Sequence, residues 1–584
     1  MRVITSRGTV LVIVGVIAIL STVFSAGTAS AHATLLETTP PDGSVVAQVP
    51  PEVELRYDET VSTSLGAVKI LAPDGSRMDS GDASLRDDGK TVVQTLSANL
   101  TPGTYTILWR VLSEDTHSIF GASTFSVGQP SATSASVATA DQEGAGKAAE
   151  QLLDVARGVL YIGIILLVGG LAFIAGLWRN GRNITTARHI LWSGWALAVL
   201  GTLAGIVFQG PYAAGLPLSS MTDSALVSDV LATKYGVCSV LRFIFLAGIA
   251  WVLRLLPRSR PQLLVAPGAI ACIGMLVTTS MVGHAGTGHL SYLALPLDIL
   301  HLASTATWLG GLTMLFLLLI RSVPTELAHV ITRWSRYAVI SVAVVVLSGT
   351  FAAWKQVREI AALPATEYGQ MLLIKVALVL MLLVLGAAAQ VWIRRRFPTL
   401  ESLPVTESTS APAYAGAGTS EDDNSRPQHA RPVAAAHHIS LRPLRQRVLL
   451  ELAVAVGVVI VTAVLVGTTP AKDTYFPSFV QTGPAGTGLE VEVVVEPART
   501  GLNTVRLSYS DTAGQRTDVL RSSGRWTSES GEFAIPADMV RTDAGQYETL
   551  NLSLPTAGTW KFELTTQTSD IDSTTTVFTV RIRR

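Results

Sequence analysis

The sequence predicts a multi-domain membrane protein: an N-terminal all-β domain, an eight-helix α transmembrane bundle and a C-terminal all-β sandwich. Across 584 residues, 48% are hydrophobic and only 15% charged, with a mean hydropathy of +0.42. That is too apolar for a soluble protein and too long for one domain. Eight stretches reach the roughly 20 apolar residues that a bilayer crossing needs. On either side of them, short segments alternate apolar and polar residues between turns rich in Pro and Gly.

Residues 1–31 read as a secretory signal: Arg2 and Arg7 open it, an apolar run covers 10–20, and Ala29-Ser30-Ala31 is a small-residue cleavage site. Cleavage there makes His32 the N-terminus, where its α-amine and ring nitrogen can reach one metal ion, a donor pair suited to Cu(II). Residues 32–128 form the first β domain, with alternating runs such as Val53-Glu54-Leu55-Arg56-Tyr57 and Tyr105-Thr106-Ile107-Leu108-Trp109-Arg110. A small sandwich or barrel follows from that pattern. The domain carries thirteen Asp and Glu against six Lys and Arg, a balance that attracts cations and repels nucleic acid.

Residues 129–148 are a Ser-, Ala- and Gly-rich tether. Residues 149–397 hold seven spans, near 159–178, 188–209, 236–256, 263–283, 298–320, 337–356 and 371–393, and 447–468 the eighth. Arginines gather on alternate loops (Arg179 and Arg182, Arg254 and Arg258, Arg333 and Arg336, Arg394 to Arg396). The positive-inside rule makes those loops cytoplasmic and places both β domains outside the plasma membrane. Residues 398–446 read as a disordered cytoplasmic loop, and 469–584 as an exported β-sandwich without His or Cys.

The spans contain a repeat. Thr233-x-Tyr235-Gly236 with Arg242 recurs as Thr366-x-Tyr368-Gly369 with Lys375, Gly201-Thr202 as Gly349-Thr350, and Gly169-Gly170-Leu171 as Gly310-Gly311-Leu312. Four spans per unit give two halves of the same orientation, an arrangement used by some transporters. Arg242 and Lys375 are expected to snorkel or to form structural ion pairs.

Chemistry concentrates on few residues. Cys238 and Cys272 both lie in apolar runs, which excludes disulfide staples and a cysteine metal cage. In the first domain Asp115 and His117 are two apart, so an extended backbone would put them on one face. With His32 they supply three nitrogens and one oxygen, a set for tetragonal Cu(II). His284 and His289 follow the fourth span and His301 begins the fifth, near Met281 and Asp298. Ionisable residues in or beside spans are costly and mark functional sites, and these suit Cu(I) or Cu(II). The tether leads to the expectation that this membrane site is separate from the site of the first domain.

The motifs His32-Ala-x-Leu35, Pro40-x-Asp42-Gly43, Leu55-x-Tyr57-x-Glu59, Gly103-Thr104-Tyr105 and Trp109-Arg110-Val111-x-Ser113-x-Asp115-x-His117 resemble the copper resistance protein CopC. The resemblance implies a cupredoxin-like fold binding Cu(II) through His32, Asp115 and His117, with Glu59 beside the site. Two features depart from it: the usual Asp-Gly-His is Asp115-Thr116-His117, and Met78 is the domain's only methionine, so the Met-rich Cu(I) site is absent. Trp308-x-Gly310-Gly311 and the Tyr-Gly motifs are similar to CopD, the family's membrane partner, and 469–584 is faintly similar to YtkA-type exported domains.

Together these features predict a non-enzyme that binds copper at the outer face and imports it, in contact with copper ions, lipid and exported copper chaperones. No nucleotide-binding motif is present. The alternatives are a copper-dependent oxidative enzyme using the N-terminal histidine, and membrane electron transfer through haem held by His284 and His301.

Overall fold

The computed structural model describes residues 33, 35–97, 100–131, 146–288, 290–321, 324–396, 442–529, 531 and 533–583. The predicted signal segment, His32, His289, most of the predicted tether and residues 397–441, where a cytoplasmic loop is expected, lie outside the described residues.

The first domain has eight strands: β1 (Leu35–Thr39), β2 (Ser44–Val46), β3 (Glu52–Tyr57), β4 (Val61–Leu71), β5 (Asp79–Arg86), β6 (Thr91–Leu96), β7 (Gly103–Ser113) and β8 (Ser118–Val127). They form a sandwich of two four-stranded sheets, ordered β1-β3-β6-β5 and β2-β8-β7-β4. All pairings are antiparallel except β2 with β8. Apolar alternation directs Val53, Leu55, Tyr57, Ile70, Tyr105, Ile107 and Phe125 into the core between the sheets. β7 is buried along its whole length, because one face meets this core and part of the other meets the helical bundle.

Eight described helices are long and apolar enough to cross a membrane. They are α1 (Lys147–Gly176), α2 (Thr185–Ala214), α3 (Lys234–Leu255), α4 (Pro261–Ser280), α5 (Ser291–Arg321), α6 (Pro324–Val357), α7 (Glu367–Arg396) and α8 (Arg442–Gly467). α1 begins well before the predicted span. Glu150, Asp154 and Arg157 hide its first turns from a hydropathy count, although this stretch is helical and an Asp154–Arg157 pair 2.7 Å apart compensates its charge. Arg242 does not snorkel: it is buried, and its Nη2 donates to the Thr278 carbonyl of α4 at 2.8 Å.

The repeat has a structural counterpart. Thr233 and Thr366 both cap the helix that follows, accepting from the N–H groups of Gly236 (3.3 Å) and Gly369 (3.1 Å). Gly169 of α1 and Gly310 of α5 pack against each other. A Cβ on Gly169 would lie 1.9 Å from the Ala306 carbonyl oxygen, and one on Gly310 would lie 2.1 Å from that of Ile165. Equivalent glycines of the sequence repeat are thus in reciprocal contact at this crossing, where small residues let the backbones approach.

The C-terminal domain comprises β9 (Phe479–Gly486), β10 (Leu489–Glu496), β11 (Gly501–Asp511), β12 (Arg521–Ser528), β13 (Ala534–Asp538), β14 (Val540–Asp543), β15 (Gln546–Leu554), β16 (Gly558–Gln567) and β17 (Ser573–Ile582). Its sheets, β14-β15-β11-β10-β9 and β13-β12-β16-β17, close over Trp526, Trp560 and Phe562. An Arg583–Glu359 ion pair of 2.5 Å ties it to the segment after α6, so both sandwiches sit at the same end of the bundle.

The glycine crossing should be the least tolerant point of the bundle. Gly310→Leu is expected to cost at least ~2 kcal/mol through overpacking and to reduce sharply the yield of monodisperse protein in detergent. Gly176→Ala, whose Cβ meets nothing within 4 Å, should leave that yield unchanged.

Candidate metal centre between two domains

The β7–β8 ladder ends at Leu112 opposite Ser118, leaving a tight turn. The Ser113 N–H donates to the His117 carbonyl and the Thr116 N–H to the Ser113 carbonyl, both at 2.9 Å. Thr116 takes the left-handed position of this turn with φ 73°, which costs a branched side chain about 1–2 kcal/mol. Asp115 and His117 therefore converge through a hairpin turn, not through the pleat of an extended strand.

Asp115 is fully buried and His117 is 5% exposed. Asp115 accepts from the Ser113 hydroxyl and from the His117 N–H at 3.3 Å. His117 Nδ1 lies 3.2 Å from Asp115 Oδ1. From the loop between α4 and α5, His284 places Nε2 3.7 Å from Asp115 Oδ2, and the two imidazole rings lie 4.8 Å apart. One ligand atom from each of Asp115, His117 and His284 lies within 4.8 Å of the others. A modest contraction would bring them to the ~2 Å bonds of a shared ion.

The far side of the His117 ring fixes its chemistry. Nε2 lies 3.0 Å from the carbonyl oxygen of Val466, at the end of α8. A carbonyl only accepts, so Nε2 carries a proton, and Nδ1 is the ring nitrogen turned toward the Asp115 carboxylate. Across 3.2 Å the carboxylate and Nδ1 are placed to share a proton or a metal ion. An imidazole held through its other nitrogen by a carbonyl is the usual arrangement of a metal-ligating histidine.

The remaining donors are held from both domains. The Lys355 ammonium, on α6, donates to the carbonyls of His284 (2.9 Å) and Thr287 (3.0 Å). The Gln209 amide of α2 donates to the Thr116 carbonyl at 3.2 Å, the Thr116 hydroxyl to the Val282 carbonyl at 3.3 Å, and the Ser118 hydroxyl to the Ala213 carbonyl at 3.1 Å. Leu65 and Leu112 of the sandwich join Ile206, Ala213, Leu226 and Val230 of the bundle in one apolar cluster. A cavity of about 140 Å³ runs along this seam, lined by Arg110, His117, Glu150, Tyr212, Gly467 and Thr469 among others.

Glu59 stands beside the turn and accepts from the Glu114 N–H at 3.3 Å. Burial, then the negative charges of Asp115 and Asp58, pushes its carboxyl up to about 8. Burial holds the Lys472 ammonium below the usual lysine range, while Asp473, Asp115 and Glu59 are within electrostatic reach to oppose this. Met281 caps α4, its N–H donating to the Val277 carbonyl at 3.0 Å. His301 is not part of the cluster; its Nδ1 lies 2.9 Å from the Ser348 hydroxyl of α6.

The expected separation by the tether does not hold for His284, while His301 stays apart from the cluster. His284 of the membrane region stands against Asp115 and His117, because the turn itself is docked on the bundle. Gln209, a lone polar residue in an apolar stretch, and Lys355, which opens the polar end of its span, carried a sequence signal. Val466 carried none, since only its carbonyl takes part.

Family comparisons agree with this division. Residues 35–128 match the CopC domain model, 148–292 the copper resistance protein D-like N-terminal domain and 328–419 copper resistance protein D. Copper resistance protein C of Pseudomonas syringae pv. tomato is 35% identical over 18% of this chain and 92% of its own length. The chain belongs to the copper resistance family, with CopC and CopD parts in one polypeptide. Over 97% of its length it is also 25% identical to copper transport protein CutJ of Bacillus subtilis (strain 168), covering 98% of that protein. The solved CopC from Methylosinus trichosporium OB3b is 27% identical over 18% of this chain and 98% of that chain, with a TM-score of 0.16.

Lys355 should anchor the His284 loop of this CopC–CopD protein. Lys355→Met removes two charge-assisted hydrogen bonds and is expected to destabilise the loop by roughly 2 kcal/mol. Tryptophan-fluorescence melting of the purified protein should fall measurably, and an unchanged melt would show that the loop is held by other contacts.

Proposed function

We propose that the protein captures copper at its extracytoplasmic end, in a site shared by its CopC and CopD parts, and passes it into the membrane bundle. The observation that carries this reading is the His117 ring: pinned by Val466 through Nε2, it faces a buried carboxylate through Nδ1. A cation belongs between them, and two imidazoles with one carboxylate suit Cu(II). Removal of residues 1–31 frees the amine and ring of His32, which add the donors of a tetragonal site. Glu59 supports the turn from outside the ligand set.

Transfer inward then begins without a long jump. His284 belongs to the membrane region yet already stands among the ligands, so copper moves from the CopC turn to CopD by exchanging partners at one place. His301 with Ser348 supplies the next imidazole in the bundle, where Cu(I) or Cu(II) can be accommodated, and His289 lies on the same connecting loop. Exported copper chaperones would load the site along the seam beside Glu150.

Copper accumulation in cells should fall to the level of a strain lacking the protein for His117→Ala and Asp115→Ala. His284→Ala should weaken Cu(II) binding by the purified protein at least ~10-fold, the lower end of what even outer-sphere partners contribute, and also reduce accumulation. An alanine inserted ahead of His32 should weaken capture in the same way. Normal accumulation by His117→Ala at normal protein abundance would remove the site from the transport route.

A further inference from the structure

We propose that Thr116 is a positioning residue that latches the metal turn to the bundle, so that the two domains move copper as one unit. The proposal rests on the reading that the Asp115, His117 and His284 cluster carries copper. Thr116 occupies a left-handed conformation, φ 73°, that suits glycine far better than a branched side chain. Its hydroxyl turns away from the sandwich and donates to the Val282 carbonyl, two residues before His284.

The backbone of the same residue is engaged from a different helix. Its carbonyl accepts from the Gln209 amide, and Gln209 is fully buried at 0% exposure within α2. A glutamine that deep in an apolar helix is costly unless bonded, and this contact accounts for its amide nitrogen. The left-handed turn directs the hydroxyl and carbonyl of one residue to two separate parts of CopD. Thr116 lies between the two CopC ligands, so displacement of the 282–287 loop or of α2 is transmitted directly to Asp115 and His117. Holding His284 within reach of the Asp115 carboxylate is the consequence.

The test uses the full chain in detergent and in cells, with Thr116→Gly, Thr116→Ser and Gln209→Leu. Glycine relieves the backbone strain, so Thr116→Gly should fold at least as well as wild type while lacking the hydroxyl. Amide hydrogen exchange across 281–288 is expected to rise about fivefold, the factor one ordinary hydrogen bond supplies, and copper accumulation to fall to a comparable degree. Thr116→Ser, which keeps the hydroxyl, should stay near wild type in both measurements, and Gln209→Leu should resemble Thr116→Gly. Wild-type exchange in Thr116→Gly, or a serine variant no better than glycine, would overturn the latch. Exchange is measured without copper, so the latch can fail or stand whatever His117→Ala shows about transport.

Discussion

The structure depends on one buried contact where the two domains meet. The Asp115 carboxylate and Nδ1 of His117 lie 3.2 Å apart while the carbonyl of Val466 holds the other ring nitrogen. As a copper site, this contact is where the ion would be held. A fully buried carboxylate is otherwise expensive, and its retention here points to function more than to stability. The loop bearing His284 and the ammonium of Lys355 are best understood as parts that complete and hold this arrangement.

That constraint also explains why the two domains are docked. Asp115 and His117 are on the CopC hairpin, Val466 ends the last span and His284 follows the fourth span. None of these elements can drift without opening the others. The apolar cluster of Leu65 and Leu112 with Ile206, Ala213, Leu226 and Val230 supplies non-directional adhesion. The hydrogen bonds of Thr116, Ser118 and Gln209 supply registration. In the bundle, the reciprocal packing of Gly169 and Gly310 relates two similar halves, yet the halves differ chemically. Gly201 packs on the backbone of Leu160 of α1, whereas its counterpart Gly349 packs on the imidazole of His301 of α5.

Much of this was legible in the sequence, for reasons that can be named. The spans announce themselves because lipid demands long apolar runs. Asp115 and His117 stand out as an acidic residue and a histidine at a strand end in a domain whose only other histidine is His32. Two things were hidden. The start of α1 is masked by Glu150, Asp154 and Arg157, which pair or lie under the sandwich instead of facing lipid. The meeting of His284 with Asp115 is a long-range event across a tether, and composition predicts only that a tether is flexible, not where it lets its domain rest. The expected face of an extended strand was likewise replaced by a turn, because Thr116 adopts a conformation that propensity assigns to glycine.

The central claim is that one copper ion has ligands from both parts of the chain. Pulsed electron paramagnetic resonance of the Cu(II)-loaded full chain counts the imidazole rings bound to the ion. Loading wild type and His284→Gln in parallel should show one fewer coordinated imidazole in the variant, with the signals of the remaining rings preserved. Identical imidazole couplings in the two proteins would mean that copper is held by the CopC part alone, and would contradict the account.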